Sequence, residues 1–354
     1  MPQKLKRLIG PVSIGVLAVL VAVGLWKTGG DLGRGRLVLK RRPKAVMGTT
    51  CSLAVITESR AQKEAQDALD RAEAAIRAVE ARTSCWIDDS EISRLARTPV
   101  GERRPLDSDT FEVLRAARQA FHDSGGAFDV TCGPLIRLWR DAAEKGRPPS
   151  TPELLEARAQ SRWELIELGD GHATRLGPGA RVDLGGIAKG HAIDRAVAIL
   201  ERAGLQGGLV DIGGDLACFG LPLKGLFWSV DIQNPFDSSV LVKLRLVEGA
   251  VCTSGDYARG IIIDGRRYSH IIDPGSGRPT ETLPSVTIFA PKARTADIWA
   301  TALSVLGPKG FERLPIDVEA MIVVGTPEDF SILATAGMHA LLEQPLPKNI
   351  TVWR

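Results

Sequence analysis

Three short stretches of this sequence carry side chains whose types and spacing could do chemistry. The first, Val182-Asp183-Leu184-Gly185-Gly186-Ile187-Ala188-Lys189-Gly190, is a glycine-rich turn that runs into a helix. Such turns let backbone groups approach a phosphate, and the positive start of the helix favours the anion. The run lacks the Lys-Ser/Thr ending of a P-loop and the spacing of a dinucleotide fingerprint. Phosphate loop and structural turn therefore stay equally open. The second stretch, Asp211-Ile212-Gly213-Gly214-Asp215, poses the same choice, and its two acids read more readily as solvated turn residues. The third is Ala293-Arg294-Thr295-Ala296-Asp297-Ile298-Trp299-Ala300-Thr301. There Thr295 suits a helix N-cap, and Asp297 and Thr301, four apart, share one helical face. A carboxylate and a hydroxyl pointing the same way suit a hard cation such as Mg²⁺, which takes oxygen ligands and completes its shell with phosphate and water. The alternative is that Asp297 only favours the helix dipole and Thr301 is a surface residue.

The elements that must position these residues follow from periodicity. A short strand around Ser52 to Ile56 precedes a helix whose apolar Ala65, Leu69, Ala72, Ile76 and Val79 recur by four and three, which gives one buried face. A second helix carries Phe111, Leu114, Ala117 and Phe121 on one side and ends at Gly125-Gly126, where glycine can adopt the left-handed cap. A third amphipathic helix, from Gly190 to Ala203, leads to a strand, Leu209 to Ile212, that breaks at Gly213-Gly214. Further strands are expected near Trp228 to Ile232, Val242 to Leu246 and Ser285 to Phe289. Asp264-Gly265 marks a two-residue turn in a hairpin from Gly260 to Ile272. A last helix is expected from Thr295 to Gly307-Pro308. Strands and helices alternate without a regular βαβ period, which points to α+β.

With 354 residues, 44% apolar and 25% charged, the chain has a globular composition and enough material for a large core. The net charge of +3 is unevenly spread. Residues 1–44 hold ten Lys or Arg and one Asp, leaving 35 basic against 41 acidic residues beyond, a balance of −6. A mildly acidic body is no footprint for nucleic acid, which needs clustered Lys and Arg on the fold itself. Five dispersed cysteines, Cys51, Cys85, Cys132, Cys218 and Cys252, form no Cys-x-x-Cys pair, so a zinc site or disulfide framework is not expected and the thiols should be buried filler. Lys4, Lys6 and Arg7 precede an uncharged apolar run from Leu8 to Trp26, which reads as a signal peptide or signal anchor. The expected organisation is a signal peptide or anchor over 1–26, a basic linker over 27–44 and one domain over 45–354. This implies an exported chain at the periplasmic face of the inner membrane, held there through its N-terminal segment.

Further motifs complete the pattern: Met47-Gly48-Thr49, Ser90-Glu91-Ile92-Ser93, Gly126-Ala127-Phe128-Asp129-Val130-Thr131 with Gly133-Pro134-Leu135, Thr253-Ser254-Gly255-Asp256, and Tyr268-Ser269-His270-Ile271-Ile272-Asp273-Pro274. With the three stretches above, they occur in the order seen in ApbE-like flavin transferases, which the chain resembles over about residues 45–325. The resemblance implies an α+β domain of two intimate lobes with FAD between them and Mg²⁺ at the pyrophosphate. By that carry-over Met47, Trp86, Ala127, Phe128, Asp129, Asp183, Lys189 and Ile272 line the nucleotide, while Asp297, Thr301 and a backbone oxygen of Gly186 hold the metal. The implied reaction moves FMN from FAD to a Ser or Thr hydroxyl of an acceptor redox protein and releases AMP. Its rivals are a Mg²⁺-dependent FAD pyrophosphatase and a non-catalytic FAD-binding protein. His270 is the candidate for proton transfer because an imidazole titrates near neutrality, oriented by Asp256 and Asp273; packing in the hairpin or bonding to the nucleotide are its other readings. Trp86 stands where the family commonly has Tyr, which keeps a stacking surface and loses a hydroxyl. Cys252 replaces a usual small residue.

Overall fold

The computed structural model describes residues 35–255, 260–280 and 283–353. Its frame is a nine-stranded sheet in the order β1 (Arg36–Arg41), β2 (Cys51–Glu58), β6 (Gly207–Ile212), β7 (Asp215–Gly220), β10 (Gly249–Gly255), β15 (Ser285–Ala290), β16 (Glu319–Gly325), β17 (Phe330–Ala334) and β18 (Ile350–Val352). All neighbours are antiparallel except the last pair. A three-stranded sheet holds β3 (Arg103–Pro105), β5 (His172–Arg175) and β4 (Ile166–Gly169). Separate ribbons are β8 (Trp228–Gln233) with β9 (Val240–Leu246), β11 (Gly260–Ile263) with β12 (Arg266–Ser269), and β13 (Ile272–Asp273) with β14 (Arg278–Pro279). The described helices are α1 (Gln62–Thr83), α2 (Glu91–Arg97), α3 (Ser108–Asp123), α4 (Gly133–Lys145), α5 (Thr151–Gln160), α6 (Ala188–Arg202), α7 (Ala293–Leu306) and α8 (Ala336–Leu341).

The large sheet is covered on both faces, and strand alternation assigns each residue to one of them. Val210, Ile212, Ala217 and Phe219 join α1, α3, α6 and α7 in the larger core. Leu209, Leu216 and Cys218 point the other way, onto Trp228, Val230, Val242 and Leu244 of the β8–β9 ribbon. Double coverage explains why β6 and β7 read as continuous apolar runs and not as alternating ones. A third, smaller core sets Leu135 and Trp139 of α4 against Ile263 and Ile272. It is the nearest counterpart of the expected second lobe, since one continuous sheet carries the rest.

Most expected elements stand where periodicity put them, and the differences have physical causes. Strand β1 lies inside the stretch read as a basic linker, so the folded body begins by Arg36 and not near Ala45. Its Val38 and Leu39 alternate between the two faces of the sheet, while Arg41 pairs with Asp70 and Glu73 of α1 and Lys40 is exposed, a pattern that local charge obscures. Helix α7 starts at Ala293, before Thr295, because the carboxylate of Asp194 on α6 accepts from the N–H groups of Ala293 (2.8 Å) and Arg294 (3.1 Å). A cap lent by a neighbouring helix replaces the local one. The Asp264-Gly265 turn is as expected, with both residues at positive φ. The N-terminal apolar run, expected to be helical, lies outside the described residues, as does Asp256; among the described residues no helix is long and apolar enough to cross a membrane. Three cysteines are buried, but Cys85 is exposed, contrary to the expectation of buried thiols.

Candidate active site

The glycine-rich stretch before α6 folds as a closed turn. The Asp183 carboxylate accepts from the Gly185 N–H at 2.8 Å, and the Ile187 N–H donates to the Leu184 carbonyl at 3.1 Å. The Asp183 N–H donates to the Val130 carbonyl at 2.7 Å, which ties this turn to Ala127, Phe128 and Asp129. Asp129 is buried and accepts from the N–H and hydroxyl of Thr131 at 2.8 and 2.7 Å. Burial outweighs those bonds and pushes its carboxyl up to about 6.

Lys189 leaves the first turn of α6 and inserts its ammonium between two acids. It bonds Asp215, the first residue of β7, and the Asp297 carboxylate of α7 at 3.2 Å. Burial alone would lower the lysine pKa; Asp215 and then Asp297 override it and hold the group firmly protonated. Asp297 is also buried, accepts from the Gly190 N–H at 2.9 Å, and has its carboxyl raised by burial against the pull of Lys189. Asp215 accepts from the Thr253 N–H at 3.1 Å, and Thr253 and Thr287 share a hydroxyl bond at 3.1 Å. Asp211 accepts from the Gly214 N–H at 3.0 Å, while burial pushes it up to about 6. Asp215 is thus a buried member of the site, and Asp211 is a buried acid of the same hairpin; neither is a solvated turn residue. Their hairpin closes through Gly213-Gly214, both at positive φ, and a side chain on Gly213 would collide with Thr49.

Thr301 lies one turn beyond Asp297 on α7. A Cβ built on Gly186 would sit 2.9 Å from the Thr301 hydroxyl oxygen and 3.2 Å from Phe128, so all three converge. Gly190 lets α6 and α7 approach at the point where Lys189 and Asp297 meet: a Cβ there would fall 2.3 Å from the Ala293 carbonyl oxygen.

Beside this cluster opens a cavity of about 460 Å³ lined by Met47, Cys85, Trp86, Asp183 and Lys189, among others. Met47 holds a positive φ, anchored by its N–H on Glu80 at 2.7 Å. Trp86 is 71% exposed, with the Arg140 guanidinium 4.0 Å above its ring. The Cys85 thiol faces Asp183 at 3.5 Å. Of the residues singled out in the sequence, the structure gathers Met47, Trp86, Asp183 and Lys189 on this cavity, and Phe128, Gly186, Asp297 and Thr301 beside it. Ile272 is buried in the small core near Trp139 and Tyr268. His270, between β12 and β13, is likewise not among the described residues that line the cavity. Sequence reasoning missed Glu80, Arg140 and Asp194, each a lone charge on a helix with no local signature. It also undervalued Asp215, whose place directly after Gly213-Gly214 was the available signal.

Comparison with known proteins places the chain in a family. The chain is 33% identical over 314 residues to the FAD:protein FMN transferase of Treponema pallidum (strain Nichols), covering 83% of this chain and 85% of the relative. It is 32% identical over 278 residues to that of Klebsiella pneumoniae (strain 342), covering 76% and 79%. Among solved structures, the flavin transferase ApbE from Vibrio cholerae superposes with a TM-score of 0.74 at 30% identity, covering 87% of this chain and 99% of the other. The apo flavinyl transferase ApbE from Pseudomonas stutzeri gives 0.76 at 29% identity, covering 88% and 98%. Residues 47–322 match the ApbE family, and the chain belongs to it.

Proposed function

We propose that this chain is a flavin transferase that moves FMN from FAD to a Ser or Thr hydroxyl of a redox protein. The observation that carries this reading is the Lys189 ammonium clasped between Asp215 and Asp297, where the glycine turn enters α6 beside a nucleotide-sized cavity. The acceptor oxygen forms a bond to the flavin-side phosphorus of FAD while the pyrophosphate bond to AMP breaks. AMP leaves with the bonding electrons, and the hydroxyl proton passes to a base, the role assigned to His270. Phosphoryl transfer asks the protein mainly for position and charge neutralisation. The turn 183–187 leads into the start of α6, whose dipole favours an anion, and Lys189 is a fixed positive charge of low mobility near the same point. Trp86 presents a stacking face at the cavity mouth.

The residues suit Mg²⁺. Asp215 and Asp297 are buried around one ammonium, an acidic surplus that a dication would offset. Asp297, Thr301 and the Gly186 carbonyl are hard oxygen donors on converging elements. No group of three or more His, Cys, Asp or Glu among the described residues could hold a metal alone, so phosphate oxygens and water would complete the shell. When bound, the ion would neutralise pyrophosphate charge and polarise the bond to AMP. We further assign the Leu8–Trp26 run to export and to attachment at the periplasmic face of the inner membrane.

The test is intact mass of a flavin-acceptor protein incubated with the full chain, FAD and Mg²⁺, with an EDTA control. A Mg²⁺-dependent gain of one FMN is expected. Free FMN and AMP without a gain would make the chain a pyrophosphatase, and neither product would leave a binding protein. Asp297→Ala should abolish metal-dependent turnover; unchanged turnover at saturating FAD would refute the metal assignment.

A further inference from the structure

Strand register places the start of the described chain and an exposed apolar loop at the same end of the large sheet. The Gly35 carbonyl accepts from the Ser59 N–H at 2.6 Å, and Arg36 pairs with Glu58. Two strands over, Ile56 pairs with Gly207, which pairs with Gly220. The Leu221 N–H then donates to the Gln206 carbonyl at 3.3 Å, and the Gln206 side chain reaches Glu58 at 3.4 Å. From this end projects the loop between β7 and β8, with Leu221 at 45%, Leu226 at 67% and Phe227 at 44% exposure. Val247, 52% exposed, stands beside it, because Gly249 pairs with Cys218 and because Phe227 and Val247 line a common cavity of about 410 Å³.

The loop departs from ordinary surface chemistry. Large apolar side chains cluster at one point with Lys224 among them, and the Arg245 guanidinium lies 5.4 Å over the Phe227 ring. Glu248 is the neighbouring acid. Clustered apolar groups rimmed by long basic side chains suit the interface of a bilayer, where the chains enter the acyl region and the cations stay among headgroups.

The length of chain beyond Gly35 identifies the occupant. The uncharged run Leu8–Trp26 ends nine residues before Gly35, a tether of at most roughly 30 Å when fully extended. A bilayer holding that run lies within reach of the very end that bears the loop. The opposite end of β2, where Cys51 pairs with Ile212 beside Gly213-Gly214, carries the active site. Eight strand residues put it roughly 25 Å further from that surface.

We propose that the Leu221–Phe227 loop with Val247 is a second membrane contact, which docks this end of the sheet on the bilayer and turns the active site toward the aqueous side. It supplies the orientation that a tether alone would leave free; it rests on the assignment of Leu8–Trp26 to the bilayer and not on the reaction proposed above.

The test reconstitutes the full chain in phosphatidylethanolamine–phosphatidylglycerol vesicles. A nitroxide is placed on Leu226→Cys or on Thr50→Cys, each with Cys85→Ser to remove the exposed native thiol. Collision with oxygen, which partitions into lipid, is compared with collision with a water-soluble nickel chelate. At Leu226 oxygen should dominate several-fold; at Thr50, beside the active site, the chelate should dominate. Val247→Cys is a second loop variant and should follow Leu226. Chelate dominance at Leu226 and Val247 overturns the proposal, including the case in which only an acceptor protein shields them. Lipid exposure at Thr50, or failure of the chain to sediment with the vesicles, overturns it as well.

Discussion

Gly190→Ala tests the junction on which the site depends. A Cβ at this position falls 2.3 Å from the Ala293 carbonyl oxygen, 2.6 Å from its carbon and 2.7 Å from the Arg294 Cα. Contact distances for such atoms begin near 3.5 Å, so α6 and α7 must separate by roughly 1 Å. Overfilling a packed contact costs about 1–3 kcal/mol, and the helical preference of Ala over Gly returns about 0.5–1 kcal/mol. The net expectation is a loss of about 1–2 kcal/mol in urea unfolding. The same displacement carries the 2.9 Å bond from the Gly190 N–H to Asp297 out of hydrogen-bonding range and loosens the Lys189–Asp297 pair. Misplacement on that scale costs about 10²-fold in rate. FMN transfer to an acceptor protein, followed by intact mass at saturating FAD, should therefore fall about 100-fold while the far-UV spectrum is unchanged. If Gly190→Ala kept wild-type turnover and gained stability from helix propensity, the close approach of α6 and α7 would be refuted.

Asp211→Asn should stabilise the protein at neutral pH, because burial raises this carboxyl from 3.8 to about 6 in the fold. The folded state holds the proton more tightly, so the contribution to stability is present below the unfolded pKa and is lost as pH rises through about 6. At about 1.4 kcal/mol per unit the variant should gain about 3 kcal/mol on wild type between pH 4 and 8; a pH-independent difference in urea unfolding with EDTA present would contradict this. Cys85 is exposed, yet burial of its sulfur and then Asp183 push its thiol up to about 12. Its alkylation at pH 8.5 should be slow and should accelerate in Asp183→Asn, and equal rates would remove the pairing. Arg140→Ala removes the cation over Trp86, a contact of about 0.5–1 kcal/mol at an exposed site. The KM for FAD should rise about two- to five-fold with kcat unchanged; a loss confined to kcat would give Arg140 a different role.

Much of the site was legible along the chain. The Gly213-Gly214 and Asp264-Gly265 turns and the Asp297/Thr301 face rest on residues within four positions of one another, and the turn 183–190 on residues within seven. Turn chemistry and helical spacing act at that range, so composition alone determines them. The buried face of α1 was equally readable from periodicity, whereas on α3 only Leu114 and Ala117 of the expected face are buried and Phe111 and Phe121 are half-buried.

What only tertiary structure decided is the meaning of the isolated charges. Asp215 and Lys189 are 26 positions apart, and Lys189 and Asp297 are 108 apart; their meeting depends on β7 and α7 flanking α6, which no local pattern encodes. Sheet order turned Asp211 and Asp215 from turn residues into buried acids, and it made a strand of residues 36–41 by pairing them with β2. Asp194 replaced Thr295 as the cap of α7 for the same reason. A charged side chain is indifferent to its place along the chain, and its desolvation and partners are set by whichever elements fold against it.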